Sequence, residues 1–139
     1  MNSLTNIFIN KLDERGFNYK IKAEHETFDE ICIFYPIESS RCSLKNVDLN
    51  CIVSDYYIQI SSRIAQVSRI NADEAVKTLN KLNYWYRFVS YSTDENNIIY
   101  AHVDFQFHEC CVEYICFSAI SRIVLGITED LWPAISKYI

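Results

Sequence analysis

The sequence predicts an α+β fold, an antiparallel sheet packed against helices, and three observations predict it. Half of the 139 residues are apolar, enough for one continuous core in a single domain over 1–139. Only two glycines and two prolines occur, so no flexible linker divides the chain. The apolar spacing switches between the helical period of about 3.6 and the strand period of about 2, giving the order α-β-β-β-α-β-β-α-α.

The first helix is "SLTNIFINKLDERG", with Leu4, Ile7, Phe8 and Leu12 on one face. Ser3 can cap its start, and Gly16 can end it in the left-handed conformation. "NYKIK" reads as an extended lead-in. "DEICIFYPI" is a strand stopped by Pro36 or marked as an edge by it. "VDLNCIV" alternates Val47, Leu49, Cys51 and Val53 against Asp48, Asn50 and Ile52, and "YYIQISSRI" alternates Tyr56, Ile58, Ile60 and Ser62 against Tyr57, Gln59, Ser61 and Arg63. Ser54 and Asp55 between them suit a tight hairpin turn.

"INADEAVKTLNKLN" returns to the helical period. Asn71 and Glu74 have capping-box spacing, Ala75, Leu79 and Leu82 share a face, and Asn83 reads as the end. "YWYRFVSYS" and "IIYAHVDFQF" are the next strands, across a turn in "TDENN". A long apolar helix runs from about Glu109 to Leu125. Gly126 is expected to end it, with Thr128 or Asp130 capping a short last helix.

Net charge is −5 with no basic cluster, which disfavours nucleic acid and anionic membrane as partners. The N-terminus lacks the pattern of a secretory signal, and no apolar stretch is long enough to span a membrane, so a cytoplasmic setting is expected. There the six cysteines are expected to stay free thiols.

The segment "FHECCVEYICF" looks at first like a ligand cluster. Structural zinc wants four ligands at set spacing, and no Cys-x-x-Cys occurs. Cys110 and Cys111 diverge by about 100° on a helix. His108 and Cys111 can share a face, which supplies only two ligands. A cysteine nucleophile is opposed by Glu109 and by the lack of an oxyanion-hole glycine. The cysteines therefore read as small packing residues of a buried helix, and no metal, cofactor or catalytic residue is assigned. The clusters "LDERG", "EHETFDE" and "TDENN" read as solvated turns and helix ends.

The strands near the C-terminus carry the candidate site. With Tyr84, Tyr86 and Phe88 toward the core, Trp85, Arg87, Val89 and Tyr91 would point out, beside Ile98, Tyr100, His102 and Asp104 of the next strand. Such a face is aromatic enough to bind a partner, and Trp, Tyr and Arg dominate binding hot spots.

The element order, the run "EAVKTLNKLNYWYRFVSYSTDENNIIYAHVDF", and the short helix containing Pro133 resemble the YbjN family of small bacterial proteins, with its type III secretion chaperone-like fold. The resemblance implies a non-catalytic, protein-binding role, chaperone-like or regulatory, often as a homodimer. The richness in Cys and Tyr and the scarcity of Gly depart from the family. An immunity protein that neutralises a cognate toxin is the alternative reading, and a thiol or metal enzyme the remote one.

Overall fold

Asn2, not Ser3, caps the first helix, α1 (Ser3–Glu14): its Oδ1 accepts from the Thr5 backbone N–H at 2.7 Å. The same asparagine donates to the Val53 carbonyl, while buried Asp29 accepts from the Thr5 hydroxyl at 2.6 Å. A local capping choice thus becomes a tertiary anchor between helix and sheet. Gly16 closes the helix with φ +73°, as its position predicts.

The computed structural model describes residues 1–38, 42–86, 88–106 and 109–139, excluding the side chains of 109–111. The α+β class holds. Six antiparallel strands lie in the order β1-β2-β3-β4-β6-β5. They are β1 (Asn18–Glu24), β2 (Phe28–Pro36), β3 (Asn46–Ser54), β4 (Tyr57–Gln66), β5 (Ser90–Thr93) and β6 (Ile98–Gln106). The extended lead-in is itself strand β1, paired along β2 with a register shift at Ile21/Ala23. In the β3–β4 turn the Ser54 hydroxyl accepts from the N–H groups of Tyr56 and Tyr57, both at 3.1 Å.

One sheet face carries the core. Ile31, Ile33, Leu49, Cys51, Ile58, Ile60, Ile99 and Ala101 point into it, and Phe8 and Leu12 of α1 meet them. The second long helix, α2 (Ala72–Trp85), contributes Ala75, Leu79 and Leu82. It starts through a 3-10 turn, Arg69–Asn71, and the capping box does not form: the Asn71 amide instead donates to the Ser68 hydroxyl at 3.0 Å.

The C-terminal residues 109–138 form one helical run. It alternates α segments, α3 (Glu109–Tyr114), α4 (Ile120–Leu125) and α5 (Trp132–Ile135), with wider π turns at Ile115–Ala119 and Gly126–Leu131. Gly126 does not end the helix; its φ −58° and ψ −44° are helical. The spacing of the buried residues explains the π turns. The pairs Ile115/Cys116, Ala119/Ile120, Ile123/Val124 and Ile127/Thr128 recur every four residues. On a regular α-helix such a stripe would drift about 40° per step and leave the sheet. Each π turn takes in one extra residue and brings the stripe back.

The β5–β6 hairpin is tied by Asp94. Its carboxylate accepts from the N–H groups of Asn96 and Ile98 at 2.9 and 3.0 Å and from the Tyr100 hydroxyl at 3.2 Å. The bond from the Ile98 N–H above all, then those from Asn96 and Tyr100, hold its pKa below the usual carboxylate range. Asn97 takes φ +60°, a conformation Asn tolerates.

Two outcomes are expected. Deleting Ser118, inside the first π turn, turns it into an ordinary α turn without moving the residues beyond it; the variant folds with little loss of stability. Deleting Asn80 from regular α2 swings Leu82 away from the core and costs about 2–5 kcal/mol. Chemical denaturation compares the pair, and an unfolded Ser118 deletion would reject the packing account. Second, a depressed carboxylate pKa stabilises above the unfolded value and less as pH falls through the folded one. Asp94→Asn is therefore less stable than wild type at pH 7, with a gap that closes below about pH 4. A gap unchanged at pH 2.5, followed by thermal melts, would show that the charge is not what matters.

Candidate functional site

Strand β5 is short because α2 runs past Asn83 to Trp85 and then turns back. The Asn83 side chain brackets Tyr91: its amide donates to the Tyr91 carbonyl, and its Oδ1 accepts from the Tyr91 N–H, both at 2.8 Å. A side chain of α2 thus satisfies the backbone on the outer side of an edge strand. On its other side Tyr91 pairs with Ala101 of β6. Residues paired across strands share a face, so Tyr91 points where Ala101 points, into the helix layer.

That register separates the eight residues expected to share one aromatic sheet face. Val89 and Tyr91 are buried on the helix side. Ile98 lies on β6 and is buried as well. Tyr100, His102 and Asp104 do line the open face of β6, opposite Arg63, Ser61 and Gln59 of β4. Trp85 belongs to the end of α2 rather than to a strand. Arg87 lies outside the described residues. Tyr84 and Tyr86, expected in the core, are 71% and 45% exposed, while Phe88 packs against the core edge. Because side chains alternate along a strand, one residue of offset sends each to the opposite face.

The open sheet face is a polar carpet. It includes a cavity of about 410 Å³ lined by Lys20, Lys22, Arg63, Phe34, Asp48 and Asn50. Lys22 donates to Asn50 at 3.4 Å, and Asp48 sits among the cations.

Three of the exposed aromatics gather elsewhere, apart from Tyr56 and Phe117, which are also exposed. Tyr84, Trp85 (66% exposed) and Tyr86 follow one another at the end of α2. Tyr86 then lines a groove of about 430 Å³ between the α2–β5 connection and the C-terminal helical run. Phe88, Val89 and Tyr91 form one wall, and Arg122, Leu125, Gly126, Glu129 and Asp130 the other. Leu125 is half exposed at its rim. Behind the groove, ring centroids step from Phe88 to Phe105 (6.4 Å) and on to Tyr114 (6.3 Å). The Arg122 guanidinium lies 4.0 Å above the Phe88 ring and donates to the Tyr114 hydroxyl at 2.9 Å, so its charge is turned to this cluster.

Gly126 sits where it does for space. A Cβ there would lie 3.1 Å from the Tyr91 hydroxyl and 3.6 Å from Val89 Cγ2. Burial first, then Asp130 and Tyr86, push the Tyr91 phenol up, so it stays neutral and able to donate. Asp130, expected as a helix cap, is a groove residue instead. Burial raises its carboxyl above the usual range, and neighbouring Glu129 adds to the rise.

The thiols are placed as packing groups. Cys32, Cys42, Cys51 and Cys116 are buried and unpaired. Burial pushes Cys116 up to about 12 and raises Cys51 and Cys32 as well, the reverse of what a nucleophilic thiolate needs. The side chains of Cys110 and Cys111, and His108, lie outside the described residues. Among the described residues no group of His, Cys, Asp and Glu could hold a metal ion, and no helix is long and apolar enough to cross a membrane.

The chain matches no family model, no curated protein and no solved structure.

The contact between Gly126 and Tyr91 is testable by a double-mutant cycle. Alanine in a helix interior is favoured over glycine by about 1 kcal/mol. In the wild-type background Gly126→Ala gains none of this, because the methyl group presses on the Tyr91 hydroxyl. In a Tyr91→Phe background the same change stabilises by about 0.5–1 kcal/mol in urea unfolding. Equal effects in both backgrounds would show that the hydroxyl does not require the glycine.

Proposed function

We propose that the chain is a non-catalytic protein-binding module, chaperone-like or regulatory, that engages its partner at the aromatic end of α2 and the groove beside it. The observation that carries this is the exposure of Tyr84 and Trp85 at 71% and 66%, next to half-exposed Tyr86 and Leu125 at the groove rim. Large aromatic side chains left in water lose favourable burial, and a partner restores it. Trp and Tyr lose few rotamers on binding and dominate hot spots. The resemblance of the element order to YbjN and the type III secretion chaperones supports the same reading.

The raised pKa values of Cys116, Cys51 and Cys32 disfavour thiol catalysis. The proposed setting is the cytoplasm, which suits four buried, unpaired cysteines. A net charge of −5 argues against nucleic acid as partner. Self-pairing as a homodimer through the same aromatic patch is one form of the proposal. An immunity protein is the second reading, favoured by the carboxylates of Glu129 and Asp130 in the groove, since an acidic surface speeds association with a basic toxin.

Site-specific photocrosslinking tests the surface. A benzophenone residue at position 85 gives discrete adducts in the native cells, while one at exposed Asn10 on α1 gives none. Equal labelling from both positions, or none from position 85, would remove the patch as the contact surface. Light scattering on wild type and Trp85→Ala reads self-pairing: a dimer that becomes a monomer supports it, and a monomer in both excludes it.

A further inference from the structure

We propose that the open face of the sheet holds a small phosphate monoester, a dianion carried on an apolar or aromatic body, in the cavity of about 410 Å³ that spans β1 to β4. This site lies away from the helix layer and does not rest on the protein-binding reading above. The sequence has no basic run; strand register gathers the cations. Lys20 pairs with Cys32, Cys32 with Asn50, and Asn50 with Ser61, two residues before Arg63. Lys22 reaches the same place and donates to the Asn50 amide oxygen at 3.4 Å. Every lining residue belongs to one of these four strands.

The charge of the lining selects the ligand. Lys20, Lys22 and Arg63 stand against one carboxylate, Asp48, in a chain whose net charge is −5. Among the described residues none of the three cations lies within ion-pair distance of a carboxylate. Arg63 acts on Asp94 only through space, as the last of the influences on that carboxyl. A phosphate monoester is close to a dianion at neutral pH and matches the surplus, whereas a monocarboxylate leaves one cation over. With its oxygen used by Lys22, the Asn50 amide has its NH2 left to donate. The net charge of the chain does not cancel this local field, because charges beyond about 8 Å are largely screened at physiological salt.

The floor is an independent observation. Its pairing puts Cys32 on the open face, yet Cys32 is only 6% exposed, so the neighbouring side chains stand around it as walls. Burial raises its thiol, which stays neutral and does not repel an anion. Half-buried Phe34 lies beside it. Low-dielectric walls focus the field of the cations, and the Phe34 ring offers an apolar body a surface to lie on. Lys20, Lys22, Asp48 and Arg63 are exposed, so the cavity opens to solvent. Its volume falls in the range of small-molecule sites, about 300–1,000 Å³.

The probes are phenyl phosphate, phenol and inorganic phosphate, titrated into the full chain at low salt while its amide chemical shifts are followed. Phenyl phosphate is expected to move Lys20, Cys32, Asn50 and Arg63 saturably. Phenol should bind at least about tenfold more weakly, the scale of a charge-assisted contact. Inorganic phosphate should bind at least about threefold more weakly, the scale of one aromatic contact. Lys22→Gln/Arg63→Gln should weaken phenyl phosphate at least about tenfold, and Asp48→Asn should tighten it about threefold. Lost folding cannot produce both signs, and both variants should keep the near-ultraviolet dichroism of the wild type.

Phenol binding as tightly as phenyl phosphate, no saturable shift at the cavity, or unchanged affinity in either variant overturns the proposal. Inorganic phosphate binding as tightly as phenyl phosphate reduces the site to an adventitious ion only. A peptide, acetyl-Ala-phosphotyrosine-Ala-amide, that binds about tenfold tighter than phenyl phosphate also overturns it, since the occupant would then be a phosphorylated protein segment.

Discussion

The structure depends on one constraint: a single apolar stripe must stay on the core from Val112 to Ile135. The buried residues of that run recur every four positions, whereas an α-helix repeats every 3.6. The helix resolves the mismatch with two π turns, at Ile115–Ala119 and Gly126–Leu131. Without them the stripe would rotate away from the core. With them the run reaches from α1, where Lys11 and Arg15 pair with Glu113, to the start of α2, where the Asn71 amide donates to the Tyr138 carbonyl at 3.5 Å. These exposed pairs add little stability themselves; burial of the stripe holds the layers together.

The candidate site is a by-product of that path. The second π turn begins at Gly126, and the missing Cβ there leaves room for the Tyr91 hydroxyl. Tyr91 is fixed on its other side by the Asn83 bracket and by pairing with Ala101. The groove opens where these elements meet. Its rim carries the aromatics that α2 cannot bury, because α2 ends at Trp85 with its apolar face already used by Ala75, Leu79 and Leu82.

Burial holds the Cys51 and Cys116 thiols protonated, and Arg122 is spent on the Phe88–Phe105–Tyr114 cluster. Among the described residues the surface includes an aromatic edge at the end of α2 and, in the groove beside it, the carboxylates of Glu129 and Asp130. On the proposed protein-binding reading they would supply desolvation and charge complementarity.

The sequence by itself determined the class, the order of the helices and strands, and most of the core. Local periodicity decides these, because one face of each element must be apolar wherever it packs. Strand β6 was legible in detail, with Ile99, Ala101 and Val103 inward and Tyr100, His102 and Asp104 outward, since a strict alternation admits one reading. The same holds for the left-handed Gly16 and the turn in "TDENN". Only the tertiary structure decided the site. "YWYRFV" is aromatic at nearly every position, so alternation could not fix its phase; Asn83 and the Tyr91–Ala101 pairing fixed it. Gly126 has the local signature of a helix stop, and only the approach of Tyr91 from a distant strand makes it a spacer inside a continuing helix. Both decisions are contacts between residues far apart in the chain, and local spacing carries no information about them.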